Sequence, residues 1–161
     1  MLLSTPRYRP SKMLNGLTST YPAHLLMPAS PSLRVLLVED SSLLAARLGE
    51  LIRRLPNVDL IDTVQTEADA VERINEALPD VLILDLHLRT GSGFGVLRTL
   101  ARDRPTLRPK IVILTNFGLP EYRREAENFG VEAFLDKSRD YFRLPALLRD
   151  FAKDRDDPDA H

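Results

Sequence analysis

The sequence predicts an α/β fold: a five-stranded parallel sheet, strand order 2-1-3-4-5, with helices on both faces. Three observations carry this. Three short runs, 35–38, 81–84 and 111–114, are wholly apolar. Each lacks the alternation of a half-exposed strand and so reads as a strand buried on both faces. Helix-period stretches separate these runs. Strand and helix then alternate strictly from about 34 to 153, a pattern that implies a parallel sheet.

The elements follow in order. After the first strand, Leu44, Leu48, Leu51, Ile52 and Leu55 fall on one helical face. Ser41 or Ser42 caps that helix, and Pro56 follows it. Residues 58–64 form a weaker strand. Ala68, Val71, Ile74 and Leu78 make a second helical stripe, which Thr66 opens with Asp69 three residues on. The strand at 81–84 precedes a helix carrying Phe94, Leu97 and Leu100, with Gly93 at its start. After the strand at 111–114, Pro120 starts a fourth helix and Gly130 ends it. Residues 131–135 form a weak fifth strand. The last helix holds Leu144, Leu147, Leu148 and Phe151. Pro145 suits its first turn, which makes 138–144 a separate turn. The right-handed crossover rule leaves few topologies, and five strands favour the flavodoxin-like order over a six-stranded dinucleotide fold.

Composition bounds the chemistry. The chain has 161 residues, 43% hydrophobic and 28% charged, which is enough for one core. It has no cysteine, so a disulfide framework, a thiolate metal site and a cysteine nucleophile are excluded. Zero cysteine fits a reducing, cytoplasmic setting. The net charge of −1 supplies no global basic field, so no direct nucleic-acid partner is expected. No apolar run approaches the roughly 20 residues of a membrane span. Residues 1–32 hold five of the twelve prolines and no acid, and read as a disordered leader. Residues 33–153 read as the folded domain, and 154–161 as an acidic disordered tail.

In such sheets the site lies beyond the carboxyl ends of the strands, where strand order reverses. Glu39 and Asp40 follow strand 1, Asp85 follows strand 3, Thr115 follows strand 4, and Asp136-Lys137 follows strand 5. Strands 1 and 3 are neighbours in the expected order, so Glu39, Asp40 and Asp85 converge in one crevice. Three carboxylates in a small volume repel one another and call for a counterion. Oxygen-only ligands suit Mg²⁺, which keeps waters for a phosphate. Lys137 supplies a point charge for phosphate oxygens and Thr115 a hydroxyl. One carboxylate can act as a nucleophile, as in aspartyl-phosphate chemistry.

Other phosphate-site readings fail. In the 91–95 run Val96 stands where Gly-x-Gly-x-x-Gly needs its last glycine, and no Walker A sequence exists. The histidines are His24, His87 and His161, a poor basis for Ser-His-Asp catalysis. His87 reads as a side chain lining the rim, since no second histidine accompanies it as a metal ligand.

At these residues the sequence resembles the receiver domain of bacterial two-component response regulators, stand-alone and like a chemotaxis regulator. The motifs are Val-Glu-Asp at 38–40, Leu-Asp-Leu-His-Leu at 84–88 with Gly91-Ser92-Gly93, Leu-Thr-Asn at 114–116, and Phe-Leu-Asp-Lys at 134–137. The resemblance implies that Asp85 accepts a phosphoryl group from a phosphohistidine on a sensor histidine kinase or phosphotransfer protein. Asp40 and Asp85 would hold Mg²⁺ directly, Glu39 mainly through water, and the backbone carbonyl of His87 would be a further ligand. Lys137 would pair with a phosphoryl oxygen. Thr115 would swing toward that group and Phe134 would turn inward behind it, changing the surface of helix 4, strand 5 and helix 5 for a downstream protein target. A homodimer formed on phosphorylation is a further option, through Tyr122 and Phe129 on helix 4, although that spacing also fits core packing.

The chain departs from the family pattern in places. Ser138 follows Lys137 where members commonly carry a cis proline, and a cis bond before serine would cost about 2.5–4 kcal/mol. Asn116 is bulkier than the usual small residue, and Phe134 replaces a common tyrosine. His87 and Phe117 stand where the family tunes phosphoryl lifetime. Two rival readings are a phosphorylation-independent binding module and a Mg²⁺-dependent aspartyl-phosphate hydrolase. The first usually lacks the acceptor or the lysine, and both are present here. The second needs an Asp two residues after the nucleophile, where His87 stands, and a cap domain. Some eight residues follow the last expected helix, so output is expected by docking rather than through an attached domain.

Overall fold

A computed structural model describes residues 31–156 apart from 105 and 107. The leader (all but its last two residues) and the end of the acidic tail lie outside the described residues. The strands are β1 (Leu33–Val38), β2 (Val58–Val64), β3 (Val81–Leu84), β4 (Lys110–Thr115) and β5 (Ala133–Asp136). They form one parallel sheet in the order β2-β1-β3-β4-β5. The helices are α1 (Ser42–Arg53), α2 (Glu67–Ala77), α3 (Gly93–Asp103), α4 (Pro120–Glu127) and α5 (Leu144–Asp156). A 3₁₀ turn at Tyr141–Arg143 leads into α5, which puts Pro145 in the first turn of that helix, where its missing N–H costs no hydrogen bond.

The helix starts rest on side-chain caps. Ser41 Oγ accepts from the Leu44 N–H at 3.4 Å, Thr66 Oγ1 from Asp69 at 3.1 Å, and Ser92 Oγ from Gly95 at 3.0 Å. Pro120 opens α4. That helix stops at Glu127, short of Gly130, which takes a left-handed φ of +67° two residues past the Asn128 cap.

The sheet separates two apolar layers. Leu37, Val35 and Leu114 point to the side covered by α1 and α5, where Leu48, Ile52 and Leu148 are buried. Leu36, Val38 and Ile113 point to the other side, against Ile74, Leu97 and Ala126 of α2, α3 and α4. The central runs 35–38, 81–84 and 111–114 are therefore apolar at every position, which is why they do not alternate. Edge strand β2 is mostly half-buried. Tyr122 and Phe129 pack against the second layer, and the Tyr122 ring meets Phe94 edge-on at 5.7 Å.

The acidic tail does not begin at 154. Helix α5 continues through Asp156, because Arg155 pairs with Asp80 and the Lys110 ammonium stands 4.0 Å from Asp154. These two contacts anchor the last turn to the amino-terminal edge of the sheet. Among the described residues no helix is long and apolar enough to cross a membrane.

Candidate functional site

Strand registration builds the site. Val38 pairs with Leu84, and the Asp85 N–H donates to the Val38 carbonyl at 3.0 Å, so Glu39 and Asp85 leave adjacent strands side by side. Thr115 pairs with Asp136, and the Lys137 N–H donates to the Thr115 carbonyl at 2.9 Å. The strand order then delivers Lys137 across β4 to the carboxylates.

The Lys137 ammonium bridges two of them. Nζ lies 2.6 Å from Glu39 Oε2 and 2.5 Å from Asp85 Oδ2, and the three side chains are 7%, 2% and 6% exposed. Asp40 is half-buried beside them, and one carboxylate oxygen from each of Glu39, Asp40 and Asp85 lies within 4.8 Å of the others. Burial pushes Glu39 above the usual carboxylate range, against the hydrogen bonds from Lys137 and the Ser41 N–H. Burial also works against the Lys137 charge, but the hydrogen bonds and charges of Asp85 and Glu39 outweigh it and hold Lys137 above the ordinary lysine value.

This donor set fits a hard divalent cation. It is oxygen-only and compact, and two of its three carboxylates share one ammonium. Glu39, Asp40 and Asp85 are the groups that could hold such an ion.

Asp85 Oδ1 accepts from the His87 N–H at 3.2 Å. The His87 ring stacks on Phe117, with centroids 3.7 Å apart at 25°. The imidazole thus lines the rim and stands outside the carboxylate cluster. Thr115 is buried, and its Oγ1 accepts from the Phe117 N–H at 3.3 Å. Asn116 is exposed. Phe134 is already buried, with the Arg123 guanidinium 4.5 Å above its ring and Arg123 Nη1 donating to its carbonyl at 3.2 Å.

No peptide bond among the described residues is cis. After Lys137 the turn is closed instead by Ser138, whose N–H and hydroxyl both donate to Asp136 Oδ1, at 2.8 and 2.5 Å. The Ser138 hydroxyl and N–H, with Arg139 behind them, hold Asp136 below the usual carboxylate range. A bond from the Asp136 N–H does the same for Asp140. Sequence reasoning missed Arg123, the Asp136–Ser138 turn and Glu67, whose carboxylate accepts from the Ser92 N–H at 2.9 Å.

Comparison with known proteins decides the family. The family model of the response regulator receiver domain matches residues 35–149. The chain belongs to this family. It is the receiver domain of a two-component response regulator, a domain switched by phosphorylation on aspartate. Receiver domains act with histidine kinases and downstream targets. The chain is 29% identical over 122 residues to the DNA-binding transcriptional activator DevR/DosR of Mycobacterium tuberculosis, covering 76% of this chain and 55% of that protein. It is 31% identical over 107 residues to a protein-glutamate methylesterase/protein-glutamine glutaminase of Hydrogenovibrio crunogenus, covering 66% of this chain and 28% of that protein. The chain thus spans only part of the length of these curated relatives. A solved signal receiver domain from Vibrio parahaemolyticus is 32% identical, with a TM-score of 0.68, covering 81% of this chain and 99% of that one.

Proposed function

We propose that this receiver domain is a Mg²⁺-dependent switch whose phosphoryl acceptor is Asp85, charged by a sensor histidine kinase or a phosphotransfer protein. The observation that carries the reading is the Lys137 ammonium held between Asp85 and Glu39, with Asp40 alongside. Asp85 attacks phosphorus, a carboxylate O–P bond forms, the N–P bond of the donor histidine breaks, and the imidazole leaves with its electron pair. Lys137 moves its ammonium from the Asp85 carboxylate to a phosphoryl oxygen as charge passes outward. Asp40, Asp85 and the His87 carbonyl would hold Mg²⁺, which would supply positive charge to the phosphoryl oxygens.

Thr115 then exchanges its bond with the Phe117 N–H for one to the phosphoryl group. This pulls the β4–α4 loop inward and biases a two-state surface on α4, β5 and α5. Phe134 is buried beforehand, so its part is to register that movement under Arg123 rather than to swing in from solvent. Output runs by protein docking on this surface, with the domain acting as a signalling switch.

The test is a ¹⁵N spectrum with Mg²⁺ and beryllofluoride, a phosphoryl mimic. Shifts that spread from Asp85 through Thr115 to α4, β5 and α5, and vanish in Asp85→Asn, support the switch. Shifts confined to the acidic crevice would point to the phosphorylation-independent module.

A further inference from the structure

Glu67 opens α2 beside the loop that carries Asp85 and His87. Its N–H donates to the Thr90 carbonyl at 3.0 Å, and its Oε2 accepts from the Ser92 N–H at 2.9 Å. The Gln65 carbonyl accepts from the Arg89 N–H at 3.2 Å. The start of α2 is thus zipped onto residues 89–92.

The fit depends on two glycines. A Cβ at Gly91 or at Gly95 would collide with the Glu67 side chain. Gly91 in addition has φ +80°, a conformation that suits glycine. Gly95 lies inside α3, where alanine is the better helix former, so its absent side chain is explained by the carboxylate and not by the helix. The remaining glycine of the run, Gly93, packs against the backbone carbonyl of Asp85. The glycine-rich run therefore serves side-chain and backbone approach, and the Glu67 carboxylate rests at the amino end of α3, where helix amides favour a negative charge.

Ser92 passes this restraint on. It forms a backbone bridge with His87, and the Gly93 N–H donates to the Leu86 carbonyl at 3.0 Å. We propose that Glu67 is a positioning residue: through Ser92 it holds the 85–92 loop closed and sets the His87 carbonyl for the cation. The inference rests on the metal site proposed above. Outer-shell partners of this kind typically shift metal affinity by about 10–100-fold when removed.

The experiment compares the full chain with Glu67→Ala, Glu67→Gln, Gly95→Ala and the Glu67→Ala/Gly95→Ala double variant. Amide hydrogen exchange in EDTA reads the clamp without metal, and Mg²⁺ titration followed by ¹⁵N shifts reads the site. Glu67→Ala should speed exchange at Ser92 and Gly93 and raise the half-saturating Mg²⁺ about tenfold. Glu67→Gln keeps an acceptor oxygen and should recover most of both. Gly95→Ala should mimic Glu67→Ala, yet add nothing in the double variant. Unchanged exchange at Ser92 in Glu67→Ala overturns the proposal. So does faster exchange with unchanged Mg²⁺ half-saturation, or a neutral Gly95→Ala with Glu67 in place. Wild-type protein that takes up no Mg²⁺ overturns the metal site itself and the positioning role with it, while its exchange data still report the clamp.

Discussion

Replacing Lys137 with methionine isolates the electrostatics of the site. Methionine keeps most of the volume, so the cavity contribution is small. What remains is charge: Glu39 and Asp85, 2% and 6% exposed, lose the ammonium that both of them contact. Breaking a buried ion pair by removing one partner costs about 3–5 kcal/mol. Asp40 is half-buried and water can reach the crevice through it, so the low end, about 3 kcal/mol, is expected. That is a large share of the ~5–15 kcal/mol that stabilises a typical domain.

The pH dependence has a definite sign. Lys137 is held above the ordinary value of 10.5, so its contribution is fully present below that value and fades only as pH rises through the higher folded one. Glu39 is raised above 4.5 by burial. Its folded form therefore binds a proton more readily than the unfolded chain does, and loss of Lys137 raises it further. The deficit of Lys137→Met should shrink as pH falls toward that range. Urea unfolding in EDTA at pH 7.5 and at pH 5.5, and again with Mg²⁺, measures all three effects, with Mg²⁺ restoring part of the loss. A variant within about 0.5 kcal/mol of wild type in EDTA at pH 7.5, the range of ordinary surface changes, would refute the reasoning. So would a deficit that ignores pH.

Other perturbations address neighbouring contacts. Ser138→Ala removes the hydroxyl that holds Asp136 down. Wild-type Asp136 adds stability above the ordinary value of 3.8 and loses it as pH falls through its lower folded value; carbon-detected NMR titration should find Asp136 moved up in the variant, and an unchanged titration contradicts the assignment. Gly93→Ala places a methyl against the Asp85 carbonyl; thermal unfolding should show a loss of at least ~1–3 kcal/mol. Phe134→Ala should cost about 3–5 kcal/mol in chemical denaturation. Arg123→Ala should cost about 0.5–1 kcal/mol, and similar losses for the two would show that the guanidinium and not the ring carries the packing.

The parts of this fold visible in the sequence are those set by burial and by local chemistry. Residues 35–38, 81–84 and 111–114 are apolar throughout because helices cover both faces of the central strands, and that signal needs no partner to be read. Glu39, Asp85, Thr115 and Lys137 were visible because strand ends and strand order together determine where they converge. The remainder depends on contacts between distant segments. Glu67 meets Ser92 across the α2–α3 interface, so neither residue marks the other in the sequence. The stack of His87 on Phe117 joins two loops, and the cover of Arg123 over Phe134 joins α4 to β5. A string of aspartates reads as a solvated tail, whereas α5 runs through Asp156. Only the fold shows that Arg155 finds Asp80 and that Lys110 stands near Asp154.

Phosphoryl transfer to Asp85 is tested most directly by intact mass. The protein and an Asp85→Asn control are incubated with acetyl phosphate, with and without Mg²⁺. A gain of one phosphoryl group that requires Mg²⁺ and is missing from the control is the predicted result. No gain at any time point in folded, Mg²⁺-bound protein, or an equal gain in the Asp85→Asn control, would contradict the account.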